Sequence, residues 1–261
     1  MDYTTLKSPL MEIARRAGVA IMDIYESDVD FGVEAKSDDS PLTKADRAAN
    51  AVICEALEQL PEKYPIVSEE NKMIPYEKRK DYDYYWLVDP LDGTKEFIKK
   101  NGEFTVNIAL IHKQRAVAGV VYAPVVDEMY WAADKQGAFL VQNGEEQQLN
   151  SSSFEMKDEA LRVVCSRSHL NEGTQKFVDA LAQPELVAKG SSLKFLILAS
   201  GDAELYPRLA PTMEWDTAAA QIVLEEAGGS VLQAESGEPL LYNKEDLLNP
   251  HFIAYGKVNL S

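Results

Sequence analysis

The chain has 261 residues, 46% hydrophobic and 26% charged, enough for one two-lobed domain or two intimate ones. Its formal net charge of −17 argues against non-specific nucleic-acid binding and against general attraction to anionic lipid. No stretch is long and apolar enough to span a bilayer, and the first residues lack the pattern of a signal peptide. The two cysteines, Cys54 and Cys165, lie far apart in apolar surroundings without zinc-like spacing. They read as buried free thiols in a reducing cytoplasm.

Leu6, Leu10, Ile13, Ala17, Ile21 and Ile24 recur at helical spacing and predict an amphipathic helix over residues 5–25. A polar, turn-rich loop follows, with the cation Lys36 in it. PLTKADRAANAVICEALEQL carries a second helical period, and Thr43 and Asp46 stand near its start, where either can cap free N–H groups. YPIVSEEN predicts a short strand ending on Glu69 and Glu70, and Tyr84 to Val88 a buried one. In EFTVNIALI, Phe104, Val106, Ile108 and Leu110 alternate. AVAGVVYAP, DEMYWAA and GAFLVQNG are short runs punctuated by turn residues, so this region predicts an antiparallel meander with helices packed against it.

From about residue 155 the predicted order is strand (LRVVCS), helix (NEGTQKFVDAL), helix (SSLKFLILAS) and strand (AELYPRL). A helix over EWDTAAAQIVLEEAGG, stopped by Gly-Gly, precedes the short strands SVLQ and HFIAYG. The expectation is a layered α/β protein with an N-terminal lobe, residues 1–155, and a C-terminal lobe, residues 156–261, joined without a linker.

Four acids sit at the edges of apolar elements: Glu69, Asp89, Asp92 and Asp216. Taken alone, Asp216 serves equally well as an N-cap, and Glu69 as a solvated strand end. Asp89 and Asp92 are harder to explain structurally, because Pro90 and Gly93 fix a turn that aims both carboxylates one way. Crowded carboxylates repel and are costly to bury, so a hard divalent cation is expected among them. Mg²⁺ takes oxygen ligands and is held by a few carboxylates together with substrate phosphate. Three histidines without paired spacing exclude a zinc site. GTKEFIKKNG opens a helix at Thr94, where the free N–H groups of Gly93, Thr94 and Lys95 form an anion cradle. Metal ligands beside a phosphate cradle predict a phosphatase.

WLVDPLDGTKEF and EWDTAAAQIVLEEAGG resemble the two signature segments of the inositol monophosphatase superfamily of Mg²⁺-dependent phosphatases. IVSEEN and SPLTKADRAAN resemble its Glu and Thr/Asp segments, and the likeness runs from about Leu6 to the end. DPLDGTKEFIKKNGEFTVNIALI, SRSH, GSSLKF and LYPR are similar to the 3′(2′),5′-bisphosphate nucleotidases of the bacterial CysQ type, which convert adenosine 3′,5′-bisphosphate to AMP. The resemblance implies an αβαβα sandwich and two or three Mg²⁺ ions, with inhibition by Li⁺. It implies metal ligands Glu69, Asp89, Asp92, Asp216 and the Leu91 carbonyl, with Thr94 paired to Asp46 to deprotonate the attacking water that Glu69 helps to hold. It also implies that Ser166, His169, Gly190, Ser191 and Lys194 hold the nucleotide, and Gly93 and Thr94 the scissile phosphate.

Other readings stay open on the residues themselves. Lys194, set among apolar residues, needs an anion, which bound phosphate or an internal salt bridge would supply equally. Tyr206 and Trp215 can stack on adenine or pack, packing being preferred for Trp215. Within the enzyme class the alternative is an inositol or sugar monophosphate phosphatase; outside it, a non-catalytic nucleotide- or phosphate-binding protein. The partners expected are small molecules, with no nucleic acid and no obligatory protein. The expected location is the cytoplasm, with peripheral association at the inner membrane face open.

Overall fold

The computed structural model describes residues 3–27, 30–35, 41–165 and 170–259. Two helices, α1 (Lys7–Tyr25) and α2 (Lys44–Glu58), cover one face of a seven-stranded sheet. That sheet runs in the order Ile66–Ser68, Tyr84–Asp92, Thr105–His112, Arg115–Ala123, Glu128–Ala133, Gly137–Gln142 and Glu145–Gln148. All neighbours are antiparallel except the first pair, so the expected meander is present. Short helices α3 (Tyr76–Arg79) and α4 (Thr94–Ile98) flank the strand Tyr84–Asp92.

Side chains alternate across a strand, and here both faces are covered, which makes the central strands apolar throughout. Trp86, Val88, Val106, Ile108 and Leu110 pack against α1 and α2. Tyr85, Leu87, Ala109 and Ile111 face the other way, onto α6 (Leu193–Ala199) and α7 (Ala218–Glu226). Beyond α6 and α7 lies a five-stranded sheet ordered Glu185–Ala188, Arg162–Cys165, Leu205–Arg208, Phe252–Tyr255 and Ser230–Gln233. Its outer face packs on α5 (Glu172–Asp179) through Val163, Leu205 and Val178. Five layers result, in the order αβαβα.

Two local departures shape the site. The strand expected to end at Val88 continues to Asp92, with a register shift between Asp89↔Asn107 and Asp92↔Thr105. Three residue steps on one strand oppose two on the other, which is a bulge, and Pro90 falls inside it, where no ladder N–H is required. Residues three apart on a regular strand point to opposite faces; the extra residue returns Asp92 to the face of Asp89. The other departure concerns EWDTAAAQIVLEEAGG. Asp216 does not cap a long helix: it closes a 3₁₀ turn, Glu214–Asp216, ahead of α7.

Candidate active site

The sheet edge and the turn before α7 bring three acids together. Ligand oxygens of Glu69, Asp89 and Asp216 all lie within 4.8 Å of one another. The Glu69 N–H donates to the Val88 carbonyl at 3.1 Å, fixing the strand end that carries it. Asp89 Oδ1 accepts from Leu91 N–H at 3.1 Å, and Asp216 Oδ2 from Met213 N–H at 2.9 Å. Burial, with the charges of Glu69, Asp92 and Asp216 adding to it, pushes the Asp89 carboxyl well above the usual range. Burial and then the Asp92 charge push Asp216 up to about 8. The Arg208 charge only partly opposes the rise at Asp216, and the donors are all hard oxygens, so the residues fit a divalent cation of the Mg²⁺ class.

Asp92 lies outside that trio. Its Oδ2 accepts from Ser191 Oγ at 2.7 Å, Ser192 N–H at 2.6 Å and Ser192 Oγ at 2.7 Å. The carboxylate is thus drawn toward the start of α6 while it still lines the same cleft as Glu69, Asp89 and Asp216. Leu91 also lines this cleft.

Thr43 caps α2, and the Asp46 carboxylate reaches back to its N–H at 2.7 Å. The same carboxylate accepts from Thr94 Oγ1 at 3.1 Å, so Asp46 is both a helix cap and the partner of Thr94. Asp46 is 1% exposed, and burial raises its pKa although the hydrogen bonds from Thr43 and Thr94 oppose the rise. Gly93, at φ 97°, precedes α4, whose first turn carries no side-chain cap. A Cβ on Gly93 would stand 2.9 Å from the Glu103 carbonyl, so the position requires glycine.

A cavity of about 460 Å³ adjoins the acidic cleft and shares Asp92, Gly93 and Asp216 with it. Lys95, Lys99, Lys189, Lys194 and Arg208 line it. Lys194 is 8% exposed; its Nζ donates to the Ser191 carbonyl at 2.8 Å and lies 5.6 Å from the Tyr206 ring centre. Among the described residues no carboxylate pairs with Lys194. Burial, reinforced by the nearby Arg208 charge, lowers its pKa to about 8 against the pull of Asp92 and Glu96. Arg208 Nη2 donates to the Pro211 carbonyl at 2.9 Å, and its buried Nε has no partner. Among the described residues neither Lys194 nor Arg208 makes a direct ion pair with a carboxylate, and both line this cavity.

Gly190 N–H donates to Glu103 Oε2 at 2.9 Å, and a Cβ on Gly190 would meet Glu96 and Glu103 at 3.0 and 3.1 Å. The Ser191 hydroxyl is held between Asp92 and Thr105 Oγ1, the latter at 2.8 Å, rather than left free for a ligand. Tyr206 packs edge-on against Phe195 and also lines the cationic cavity, and the buried Trp215 lines the acidic cleft. Cys54 is only half-buried, against expectation, while Cys165 is buried; both thiols are free. Ser166, His169 and Lys36 fall outside the described residues. Sequence reasoning did not single out Arg208, Glu103 or Ser192, although LYPR, GSSLKF and DPLDGTKEFIKKNGEFTVNIALI, which contain them, were among the segments that resemble the nucleotidases.

The chain belongs to the inositol monophosphatase family, whose model matches residues 2–258. It is 45% identical over 242 residues to the 3′(2′),5′-bisphosphate nucleotidase CysQ of Salmonella typhimurium, covering 92% of this chain and 96% of that protein. Among solved structures it resembles CysQ from Bacteroides thetaiotaomicron, with a TM-score of 0.85 and 41% identity over 96% of this chain and 97% of that one. An inositol monophosphatase from Zymomonas mobilis aligns with a TM-score of 0.77 and 25% identity, covering 98% and 94%. No described helix is long and apolar enough to cross a membrane.

Proposed function

We propose that the protein is a Mg²⁺-dependent 3′(2′),5′-bisphosphate nucleotidase that hydrolyses adenosine 3′,5′-bisphosphate to AMP and phosphate. The observation that carries this reading is the pair of adjoining sites, one acidic and one cationic, that share Asp92 and Asp216. A substrate with two phosphates answers both; an inositol monophosphate leaves Lys194 and Arg208 unmatched. The similarity to proteins named CysQ supports the same substrate class.

Glu69, Asp89, Asp92, Asp216 and the Leu91 carbonyl would hold the two or three Mg²⁺ ions. Those ions, when bound, lower the pKa of the attacking water and neutralise the leaving oxygen. The Thr94 hydroxyl donates to Asp46, which leaves a Thr94 lone pair to accept from that water; the water's proton passes along this bond to the buried carboxylate. The raised pKa of Asp46 makes it a better acceptor than a surface aspartate. Glu69 helps to orient the water, and the uncapped first turn at Gly93 and Thr94 receives the scissile phosphate. The P–O3′ bond breaks with its electron pair on the 3′-oxygen, which takes a proton from solvent. Lys194 and Arg208 receive the 5′-phosphate. The reading goes with a cytoplasmic location and Li⁺ inhibition.

The test compares kcat/KM for adenosine 3′,5′-bisphosphate and inositol 1-phosphate at one Mg²⁺ concentration. The bisphosphate is expected to lead by at least about tenfold, or ~1.4 kcal/mol. A lead of that size for inositol 1-phosphate contradicts the assignment.

A further inference from the structure

Ser192 is 1% exposed and sits between two of the acids assigned to the metal site. Its Oγ lies 2.7 Å from Asp92 Oδ2, 2.9 Å from the Asp216 carbonyl and 2.9 Å from Asn107 Nδ2. Its N–H donates to the same Asp92 oxygen at 2.6 Å. A hydroxyl has one proton and two lone pairs. Asn107 donates to it, so the Asp92 carboxylate and the Asp216 carbonyl compete for its single proton, and the charged acceptor is the stronger. With Ser191 adding a third donor, Asp92 Oδ2 is saturated. Among the described residues no donor reaches Oδ1.

We infer, resting on the metal-dependent reading above, that Ser192 is a positioning residue for the metal site. It fixes the Asp92 carboxylate so that Oδ1 is the oxygen left to ligate, and it ties the bulged strand carrying Asp92 to the turn carrying Asp216. Apart from the hydrogen bond accepted from Asn107, nothing else about the position demands serine. The residue has φ −66° and ψ −10°, and its side chain makes no cap hydrogen bond within α6, so alanine fits the backbone.

The test is Mg²⁺ titration of metal-free protein by calorimetry, without substrate, alongside the thermal midpoint and the kinetics. Ser192→Ala is expected to raise the Mg²⁺ Kd by about tenfold, the size seen when a residue supporting a ligand is lost. At saturating Mg²⁺ its KM stays within about threefold of wild type on the same scale. Ser192→Thr, which keeps the hydroxyl, is expected to restore the Kd. Ser152→Ala removes a comparable hydroxyl-to-carboxylate bond, to Glu204 at 2.9 Å, away from the cleft, and should lower the thermal midpoint alone. A Ser192→Ala protein with wild-type Kd and a lowered midpoint overturns the positioning role and leaves the proposed function standing. Wild-type protein that takes up no Mg²⁺ overturns both.

Discussion

Replacing Lys194 with methionine keeps an unbranched apolar stem and deletes the ammonium group, with its charge and its hydrogen bond to the Ser191 carbonyl. In the free protein that charge is costly: the fall from its ordinary 10.5 to about 8 corresponds to roughly 3 kcal/mol against the protonated form. The folded state binds fewer protons than the unfolded chain between those two values, so this penalty is full below about pH 8 and gone above 10.5. Lys194→Met should therefore stabilise the ligand-free protein by up to ~3 kcal/mol below pH 8, with the gain fading toward pH 10.5. With substrate the sign reverses. A hydrogen bond to a charged group contributes about 1.5–3 kcal/mol, which predicts a loss in kcat/KM of roughly 10- to 150-fold on adenosine 3′,5′-bisphosphate. Adenosine 3′-monophosphate, which lacks the 5′-phosphate, should lose less than about threefold on the same scale. Phosphate release measured on both substrates, with denaturant unfolding at pH 7 and 10, checks the two halves. Equal kinetic losses on the two substrates would refute the assignment of Lys194 to the second phosphate.

Asp89→Asn removes one of the repelling carboxylates, so turnover should fall by more than about a thousandfold, while unfolding of the metal-free protein moves to higher temperature. Near-normal activity in that variant would remove Asp89 from the metal site. Thr94→Val keeps the shape but loses the link to Asp46; kcat should drop about a hundredfold with Mg²⁺ affinity unchanged, as read by steady-state kinetics and titration. Gly93→Ala forces a Cβ into a φ of 97° and against the Glu103 carbonyl, and denaturant unfolding should register a loss of about 1–3 kcal/mol.

How much of this was legible in the chain depended on range. The apolar strands and the helices over α1 and α2 were readable because burial imposes a period on neighbouring residues. The strand Glu185–Ala188 was not, since an exposed edge strand shows no apolar alternation, and α3 is a single turn inside a charged stretch. The aspartate motif announced two convergent carboxylates, yet the means differ from the expected turn. A continued strand with one extra residue does the aiming, and that is visible only against the partner residues Asn107 and Thr105. Thr94 and Asp46 are 48 residues apart, and no local pattern joins them; the family likeness did. The bond of Ser192 to Asp92 and the unpaired Nε of Arg208 were not legible either, because they depend on how α6 and the second sheet dock on the first.

The role proposed for Glu69, Asp89, Asp92 and Asp216 is to hold divalent cations next to a phosphate ester. Crystals soaked in Mn²⁺, a Mg²⁺ substitute with an anomalous signal, address it directly. Anomalous peaks are expected in contact with the carboxylate oxygens of Glu69, Asp89 and Asp216, and with Asp92 through Oδ1. Crystals saturated with Mn²⁺ that show no peak among these four side chains would contradict it.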